Sequence, residues 1–268
     1  MIDLGKRSVL GVDVSVIDYE SAVERIVAAA KNKKPFAVAS QPVHGIMIGA
    51  RDSEHRYRLN HFDLLTPDGQ PVRWAMNLLH KVGLRERVYG PTLMLAVCER
   101  VAKEGLPIYL FGSRQETIDL LSRKLGRRFP TLKIAGGQPG RFKVLSPGER
   151  EEIVSTIRQS GAALVFVGLG CPRQEIWAYE NRDALSMPAV CVGAAFDFHA
   201  GTVAQAPSAL QRAGLEWAYR LVREPRRLWR RYVLLNPLYV AMIAAQAAGT
   251  IDFESRPATP PIRDLNVG

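Results

Sequence analysis

The sequence predicts an α/β fold in which a mostly parallel sheet carries helices on both faces. Short apolar runs alternate with segments of helical periodicity over the first 200 or so residues, which is the pattern of repeated strand–helix units. The run ALVFVGLG at 163–170 is continuously apolar rather than alternating, as in a central parallel strand buried on both faces. The 268 residues are 47% apolar and 23% charged, which is ordinary for a globular chain with a sizeable core. Together these observations predict a Rossmann-like arrangement.

The elements follow one another in regular alternation. The first residues, MIDLGKRSVLGVDVSV, alternate like a strand and contain no continuous apolar segment, so no signal peptide is expected. No run of 18 uninterrupted apolar residues occurs, and an ordinary membrane-spanning helix is therefore not expected. Strands are predicted at 36–39, 63–66, 108–111, 133–135, 163–167 and 189–192. Helices are predicted near 19–31, 69–80, 92–104, 114–128, 146–159 and 172–183.

The cysteine and histidine residues do not form a metal-binding or disulfide pattern. Three cysteines, Cys98, Cys171 and Cys191, are far apart and include no CxxC pair, which is typical of a reduced, cytoplasmic protein. The five histidines show no HExxH spacing, so each is expected to be a surface or packing residue. Asp-x-Asp, which often holds a divalent cation in sugar transfer, is also absent. No metal and no cofactor are expected.

The net charge of +10 is concentrated near the carboxyl end. Residues 212–231 contain seven arginines and two glutamates, a charge of +5, and residues 232–248 contain no charge. The tail from 249 is polar and rich in proline, which predicts disorder. We therefore divide the chain into an α/β catalytic domain (1–211), a helical membrane-associating appendage (212–248) and a disordered tail (249–268). Pro225 predicts that one helix of the appendage ends near Arg223 and the next begins beside it.

The basic block next to an apolar block suggests an anionic partner. A bilayer surface with anionic lipids attracts such a pair of segments. The apolar block is only 17 residues long and contains Asn236, Pro237 and Gln246, so it is expected to lie in the membrane surface rather than span it. The alternative is a helix that packs on the body while the arginines face solvent. Nucleic acid is a weaker alternative, because no recognition motif accompanies the arginines.

Polar residues and glycines follow several predicted strands. Ligands of open α/β sheets bind at the carboxyl ends of strands, so these positions are candidates for a site. Asp68 lies in a Pro-Asp-Gly turn and is either a turn residue or a general base. Gly168-x-Gly170 is either a tight turn or a place where backbone N–H groups approach a diphosphate. The third glycine of GxGxxG is replaced by Arg173, which weakens the nucleotide interpretation.

Several collinear motifs resemble the WecG/TagA/CpsF glycosyltransferases. The resemblance extends from about residue 9 to 235 and implies sugar transfer from a UDP-sugar to a polyprenyl-diphosphate-linked sugar. It also implies inversion of the anomeric centre and a location on the inner face of the cytoplasmic membrane. The motifs are TPDGQPVRWA (66–75), RVYGPTLM (87–94), YLFGSRQET (109–117), VFVGLGCPRQEIW (165–177), GAAFDFHAGTVAQAPSALQRAGLEWAYRL (193–221) and REPRRLWRRY (223–232).

The resemblance also assigns roles to individual residues. Asp68 matches the proposed catalytic base, and Gln174 matches a polar residue near the reacting sugar. The family often has Thr and Asn where this chain has Ala39 and Gln41, so its donor or acceptor preference is expected to differ. The residues expected to bind the donor and its nucleotide are Gln41, Arg87, Gly112, Ser113, Gly168, Gly170, Arg173 and Asp197. The residues expected to contact the diphosphates and the membrane are Arg220, Arg223, Arg227 and Arg230.

These observations predict a metal-independent hexosyltransferase of bacterial cell-surface polysaccharide synthesis. Its expected partners are a UDP-sugar donor, a polyprenyl-diphosphate-linked acceptor and the cytoplasmic membrane surface, but not nucleic acid. N-acetylmannosamine-type sugars and glucose are both candidate donors, and a homo-oligomer is left open. Two alternatives remain: a nucleotide-dependent oxidoreductase on a Rossmann-like fold, and a non-catalytic nucleotide-binding membrane adaptor.

Overall fold

A six-stranded parallel sheet runs through the computed structural model, which describes residues 1–253 and 257–268. The strands are β1 Asp3–Val9, β2 Val12–Ile17, β3 Phe36–Gln41, β4 Leu64–Pro67, β5 Ile108–Gly112, β6 Ile134–Gln138, β7 Leu164–Gly168 and β8 Pro188–Cys191. β1 and β2 form a separate antiparallel hairpin, and the other six are ordered β4-β3-β8-β7-β5-β6 with every pair parallel. The predicted α/β class is confirmed, and each predicted strand is present.

Helices cover both faces of this sheet. Those of the body are α1 Tyr19–Lys31, α2 Val43–Arg51, α3 Ser53–Asn60, α4 Gln70–His80, α5 Gly90–Lys103, α6 Gln115–Arg128, α7 Pro147–Gln159, α8 Arg173–Leu185 and α9 Ala195–Ala200. The carboxyl-terminal ones are α10 Ser208–Arg212, α11 Glu216–Arg223, α12 Pro225–Trp229, a π-helical turn Arg230–Leu234 and α13 Leu235–Ala247. The six predicted helices are present within a few residues, whereas α2, α3 and α9 were not predicted.

The core consists of two apolar layers, one on each side of the sheet. Val165 and Val167 of β7 face one layer, which also contains Trp177 of α8. Phe166, between them, faces the other layer, which contains Ile26 of α1 and Val97 of α5. Successive residues of a strand point to opposite faces, so a strand buried on both faces needs apolar residues throughout. This explains why the run at 163–170 does not alternate.

The helices after residue 212 lie on the body and are joined as the sequence predicts. α11 ends at Arg223 and α12 begins at Pro225, which confirms the predicted break. α13 packs on α2 and α4, with Tyr239 and Ile243 buried. The Tyr239 hydroxyl donates a hydrogen bond to the carbonyl oxygen of Pro71 at 3.2 Å. Over the residues described, no helix is long and apolar enough to cross a membrane.

Over its described residues, the tail contains no regular helix. Residues 254–256, part of the segment predicted to be disordered, lie outside the described residues. Further on, the backbone N–H groups of Leu265 and Asn266 donate to the two oxygens of Glu180 at 2.6 and 3.0 Å. Asp264 forms an ion pair with Arg150 at 2.5 Å. These contacts hold residues 264–266 against α7 and α8. The division of the chain into a catalytic domain, an appendage and a tail stays a prediction.

Candidate active site

A cavity of about 1200 Å³ opens at the carboxyl ends of the parallel strands. Its inner wall comes from the segments that follow β3, β4, β5, β7 and β8, and its outer wall comes from α11, α12, the π-helical turn and α13. Typical small-molecule sites measure about 300–1,000 Å³, so this cavity lies just above the upper end of that range. The predicted site residues that line it are Asp68, Arg87, Ser113, Gly168, Gly170, Gln174, Asp197, Arg220 and Arg230.

Asp68 follows β4 and lies beside the amino-terminal end of α5. The backbone N–H of Gly90, the first residue of α5, donates to Asp68 Oδ1 at 3.4 Å. Burial raises the pKa of Asp68 to about 6, although the charges of Arg87 and Arg220 act in the opposite direction. The nearby carboxylate of Glu216 raises the pKa further. Because the Asp68 side chain bonds across 22 residues rather than within its own turn, the turn interpretation is not sufficient.

Arg87 connects the body to the carboxyl-terminal helices. Its Nη2 donates to Glu216 Oε2 of α11 at 2.9 Å, and only 11% and 13% of the two side chains are exposed. The guanidinium lies 4.0 Å from the centroid of the Tyr89 ring, a cation–π contact. The Tyr89 hydroxyl donates to Glu216 Oε1 at 2.8 Å. In the sequence, Glu216 stands out only as one of two negative charges in the basic block, and this cluster was not predicted.

A second polar cluster lies at the amino-terminal end of α8. Glu175 is fully buried, and its Oε1 accepts from Gln174 Nε2 at 2.9 Å and from Gln41 Nε2 at 3.3 Å. Burial raises the pKa of Glu175. Gln174 Oε1 is buried without a hydrogen-bond partner within the described part of the chain, and Gln174 lines the cavity. The cluster therefore offers an acceptor oxygen at the cavity wall. Glu175 was not predicted as a site residue.

Gln41 is buried in this cluster and is not part of the cavity lining among the described residues. It is 0% exposed and reaches Gln174 only through Glu175. A Cβ on Gly45 would lie 1.8 Å from Gln41 Oε1, so the glycine makes room for this longer amide. Gln41 was predicted to bind the donor, and its position instead indicates a contribution to the orientation of Gln174.

Two glycines, Gly112 and Gly168, approach each other closely where β5 and β7 end side by side. Gly112 pairs with Gly168, and a Cβ on Gly112 would lie 2.7 Å from the carbonyl carbon of Gly168. The φ angle of Gly112 is +107°, a conformation that disfavours other residues. A Cβ on Gly168 would in turn lie 2.7 Å from the Phe196 ring. Gly112 does not line the cavity itself, but this close approach positions Ser113 and Gly168, which do.

Replacing Gly112 with alanine is expected to lower the free energy of unfolding by about 3 kcal/mol, from backbone strain and the clash with Gly168. Urea unfolding followed by tryptophan fluorescence measures this change. Gly126→Ala in α6 is the matched control, because a Cβ there meets no atom within 4 Å. It is expected to leave stability unchanged or to raise it by up to about 1 kcal/mol. Equal stability of the two variants would contradict the steric explanation.

Arginines from the carboxyl-terminal helices face Asp68 across the cavity. Arg220 of α11 and Arg230 of the π-helical turn line the cavity, and their predicted contact with diphosphates stays a prediction. Arg231, which was not predicted as a site residue, also lines the cavity, and burial lowers its pKa. Arginine presents several donors in a fixed fork that matches phosphate oxygens. The cavity therefore combines one carboxyl group of raised pKa with several cations suited to phosphate.

A comparison with protein-family models bears on this arrangement. The chain matches the sequence model described as "Glycosyl transferase WecG/TagA/CpsF family" over residues 7–252, which includes both the strand ends and the helices that cover them. The chain belongs to this family. It is accordingly a glycosyltransferase that acts in cell-surface polysaccharide synthesis and uses a sugar donor and an acceptor. The resemblance inferred from the motifs is confirmed.

The remaining predicted residues of the glycosyltransferase are not all part of the cavity lining. Arg173 is exposed, and its guanidinium carbon lies 5.9 Å from the centroid of Phe142. Asp197 lines the cavity, and its Oδ1 accepts from the Thr202 hydroxyl at 3.3 Å. Arg223 is exposed and is not part of the cavity lining among the described residues. The side chain of Arg227 lies outside what the structure describes.

The arginines predicted to contact the diphosphates and the membrane do not all line the cavity. Arg220 and Arg230 line the cavity, whereas Arg223 does not. A π-helical turn begins at Arg230, so the residues from there on do not keep the register of a continuous α-helix. Within the described part of the chain, no three His, Cys, Asp or Glu residues form a group that could hold a metal ion.

Proposed function

We propose that this glycosyltransferase transfers a sugar from a UDP-sugar to a polyprenyl-diphosphate-linked saccharide and inverts the anomeric centre. The observation that carries the proposal is the placement of Asp68. Its carboxyl group has a pKa of about 6 and lies in a cavity of about 1200 Å³. A pKa near the working pH suits a general base. Arginines that line the same cavity suit two diphosphate groups.

The proposed reaction is a single displacement. Asp68 removes the proton of an acceptor hydroxyl while that oxygen forms a bond to the anomeric carbon of the donor. The bond between this carbon and the β-phosphate oxygen breaks, and UDP leaves with the electron pair. Attack from the face opposite the leaving group inverts the anomeric centre. The proton remains on Asp68 until solvent removes it. Because the acceptor oxygen itself attacks the anomeric carbon, no covalent enzyme intermediate forms.

Positive side chains are proposed to balance the charge that develops on UDP. Arg87, Arg220 and Arg230 line the cavity with Asp68, and fixed cations in a cavity shielded from water stabilise a developing negative charge strongly. We therefore propose transfer without a metal ion. Activity that persists at full rate in excess EDTA would support this, and loss of activity restored by Mg²⁺ would contradict it.

The cavity has two chemically different parts, which we assign to the two substrates. Ser113, Gly168 and Gly170 lie at strand ends, and Asp197 lies in α9, the helix that follows β8. Strand ends are the usual place of a nucleotide in an open α/β sheet, so we assign this part to the UDP-sugar. N-acetylmannosamine-type sugars and glucose are the proposed donors. Gln174 Oε1 is suited to accept from a hydroxyl or amide of the donor sugar. The apolar residues of the outer wall are assigned to the acceptor; they include Leu228, Tyr232, Leu234, Leu235 and Leu238.

We further propose that the carboxyl-terminal helices contact the inner face of the cytoplasmic membrane. Val222, Trp229 and Val233 are 80%, 45% and 52% exposed, and the exposed Arg223 and Arg226 lie next to them in the sequence. Exposed apolar and aromatic side chains beside arginines suit an interface with anionic lipids. The buried Tyr239 and Ile243 of α13 argue that this helix stays on the body.

Incubation of the enzyme with a panel of UDP-sugars and prenyl-diphosphate-linked mono- and disaccharide acceptors tests the proposal. We expect one donor–acceptor pair to yield a product heavier by one sugar residue, together with UDP. Binding of UDP without transfer from any donor would favour a non-catalytic adaptor. Quenching of tryptophan fluorescence by NADH but not by UDP would favour an oxidoreductase.

A further inference from the structure

Glu216, the first residue of α11, joins the carboxyl-terminal helices to the body through two charge-assisted contacts. Its Oε2 accepts from Arg87 at 2.9 Å, and its Oε1 accepts from the Tyr89 hydroxyl at 2.8 Å. Because each oxygen has its own donor and the side chain is only 13% exposed, the carboxylate is held in a single orientation. Charge-assisted hydrogen bonds of this kind are stronger than those between neutral groups.

The partners of Glu216 are themselves held on several sides. Arg87 Nη2 also donates to Gln211 Oε1 at 3.2 Å, and the Arg87 guanidinium lies on the Tyr89 ring. The Tyr89 hydroxyl accepts from Gln205 Nε2 at 3.2 Å. Arg87 and Tyr89 of the body thus form hydrogen bonds with three residues of the segment 205–216, namely Gln205, Gln211 and Glu216. A free arginine side chain has many rotamers, and this network restricts Arg87 to one of them.

The network lies beside the proposed base. The positive charge of Arg87 lowers the pKa of Asp68, and the negative charge of Glu216 raises it. Arg87 thus lies under the influence of two carboxylates. Without Glu216, the full charge of Arg87 would act on Asp68 alone and would make it a weaker base.

We propose that Glu216 is a positioning residue of sugar transfer, which docks α11 on Arg87 and Tyr89 and so fixes the Arg87 guanidinium beside Asp68. This inference rests on the proposed function, in which Asp68 accepts the proton. It assigns to the covering helices a role in setting the basicity of the active site. The titratable and charged groups that act on Asp68 are Arg87 from the loop before α5, Glu216 and Arg220 from α11, Arg231 from the π-helical turn, Tyr19 from α1 and Tyr89.

The test compares Glu216→Gln with Tyr89→Phe and Glu151→Gln. The first variant removes the charge and keeps the shape, and the second removes one hydrogen bond to Glu216 and keeps every charge. The third removes an exposed glutamate of α7 and serves as the control. The Asp68 carboxyl is titrated by ¹³C NMR, with its signal assigned by its absence in Asp68→Asn. The kcat, KM and pH profile of sugar transfer are measured in parallel, and urea unfolding verifies that each variant is folded.

In Glu216→Gln we expect the Asp68 titration midpoint to fall by about 0.5 pH unit or more, because a nearby negative charge is lost. The acidic limb of the kcat profile should move to lower pH by the same amount. We expect kcat to fall about tenfold, through loss of the Arg87 orientation. Tyr89→Phe should leave the midpoint within about 0.3 unit of the wild-type value, and Glu151→Gln should match the wild type throughout.

An unchanged Asp68 midpoint in Glu216→Gln would overturn the inference, even if kcat fell, because the residue would then only hold the helix in place. An unchanged kcat with a shifted midpoint would overturn the positioning role as well. If the wild-type enzyme transferred no sugar from any donor, the proposed function would fail. The titration would then decide by itself whether Glu216 acts on Asp68.

Discussion

Asp68→Asn is expected to lower the kcat of sugar transfer by about 10²–10⁴-fold, the usual range for loss of a general base. Asparagine keeps the shape of the side chain and can still accept from the Gly90 N–H, but it cannot take up a proton from the acceptor. Binding of the UDP-sugar should remain close to that of the wild type, because the predicted nucleotide contacts lie at other strand ends. The measurement is UDP release with a synthetic prenyl-diphosphate acceptor, together with the KM of the donor.

The pH dependence of kcat/KM in the wild type provides a second test of Asp68 as the base. Asp68 must be ionised to act as a base, and burial raises its pKa to about 6. The kcat/KM should therefore fall about tenfold for each pH unit below 6 and level off above it. Asp68→Asn should lose this acidic limb along with most of its activity. A wild-type limb near pH 4, the ordinary range of an aspartate, would show that the cavity does not desolvate Asp68.

The free energy of unfolding of Asp68→Asn shows whether a loss of activity comes from the missing base or from a misfolded protein. A carboxyl group whose pKa is higher in the folded than in the unfolded protein costs stability once it ionises, so the cost grows as the pH rises from about 4 to 6. Asp68→Asn has no such cost and should be more stable at pH 7 by up to about 3 kcal/mol. Asp183→Asn, on the exposed side of α8, is the matched variant and should change neither activity nor stability. Near-wild-type turnover in folded Asp68→Asn would exclude Asp68 as the base.

The sequence allows the sheet to be predicted well because its strands are buried on both faces. The continuous apolar character of 163–167 follows from the two core layers that Val165 and Phe166 face. The pattern is less informative for α2 and α3. Gly45 and Gly49 lower the helix propensity of α2, yet a Cβ on Gly49 would lie 2.7 Å from Val12. Tertiary packing, which the local sequence does not reveal, is what favours a helix there.

The residues of the candidate site likewise include some that the sequence could predict and some that it could not. Asp68 and Gln174 were accessible to prediction because the ends of parallel strands meet at one edge of a sheet, and the family motifs marked the same positions. Glu216 could not be predicted from the sequence, because its partner Arg87 lies 129 residues away and a glutamate among arginines resembles a solvated residue. Glu175 was missed because it looks like an ordinary polar residue of a first helical turn. Pairing across the fold, rather than residue type, distinguishes both.

A large effect is also expected on the binding of the protein to anionic lipid vesicles. Replacing Arg212, Arg223 and Arg226 together with glutamine should weaken binding to vesicles of equimolar phosphatidylglycerol and phosphatidylcholine by about 100-fold. Each arginine near an anionic surface contributes about 1 kcal/mol, and 1.4 kcal/mol corresponds to a factor of ten. All three are exposed, and none is part of the cavity lining, so their loss tests the surface rather than the diphosphate contacts. Co-sedimentation at several lipid concentrations gives the partition coefficient.

The matched control removes three charges from another face. Arg123, Arg127 and Arg128 are exposed on α6, so their replacement by glutamine lowers the net charge equally. If the carboxyl-terminal helices face the bilayer, this control should retain most of the binding, and the binding of the wild type should weaken as salt rises above about 0.15 M. Equal losses in the two triple variants would mean that net charge alone attracts the protein to the vesicles.

Charge substitution is a better test than deletion of residues 212–248. The buried side of α13 contributes Tyr239 and Ile243 to the core, and Leu10 N–H donates to Gln246 Oε1 at 3.0 Å. Deletion would uncover the apolar surface under these residues, and the exposed patch would itself bind lipid or aggregate. A truncated protein that still sedimented with vesicles would therefore not reveal which surface the intact enzyme uses. The triple arginine variant leaves α13 in place, so retention of full binding would exclude these arginines as the membrane contact.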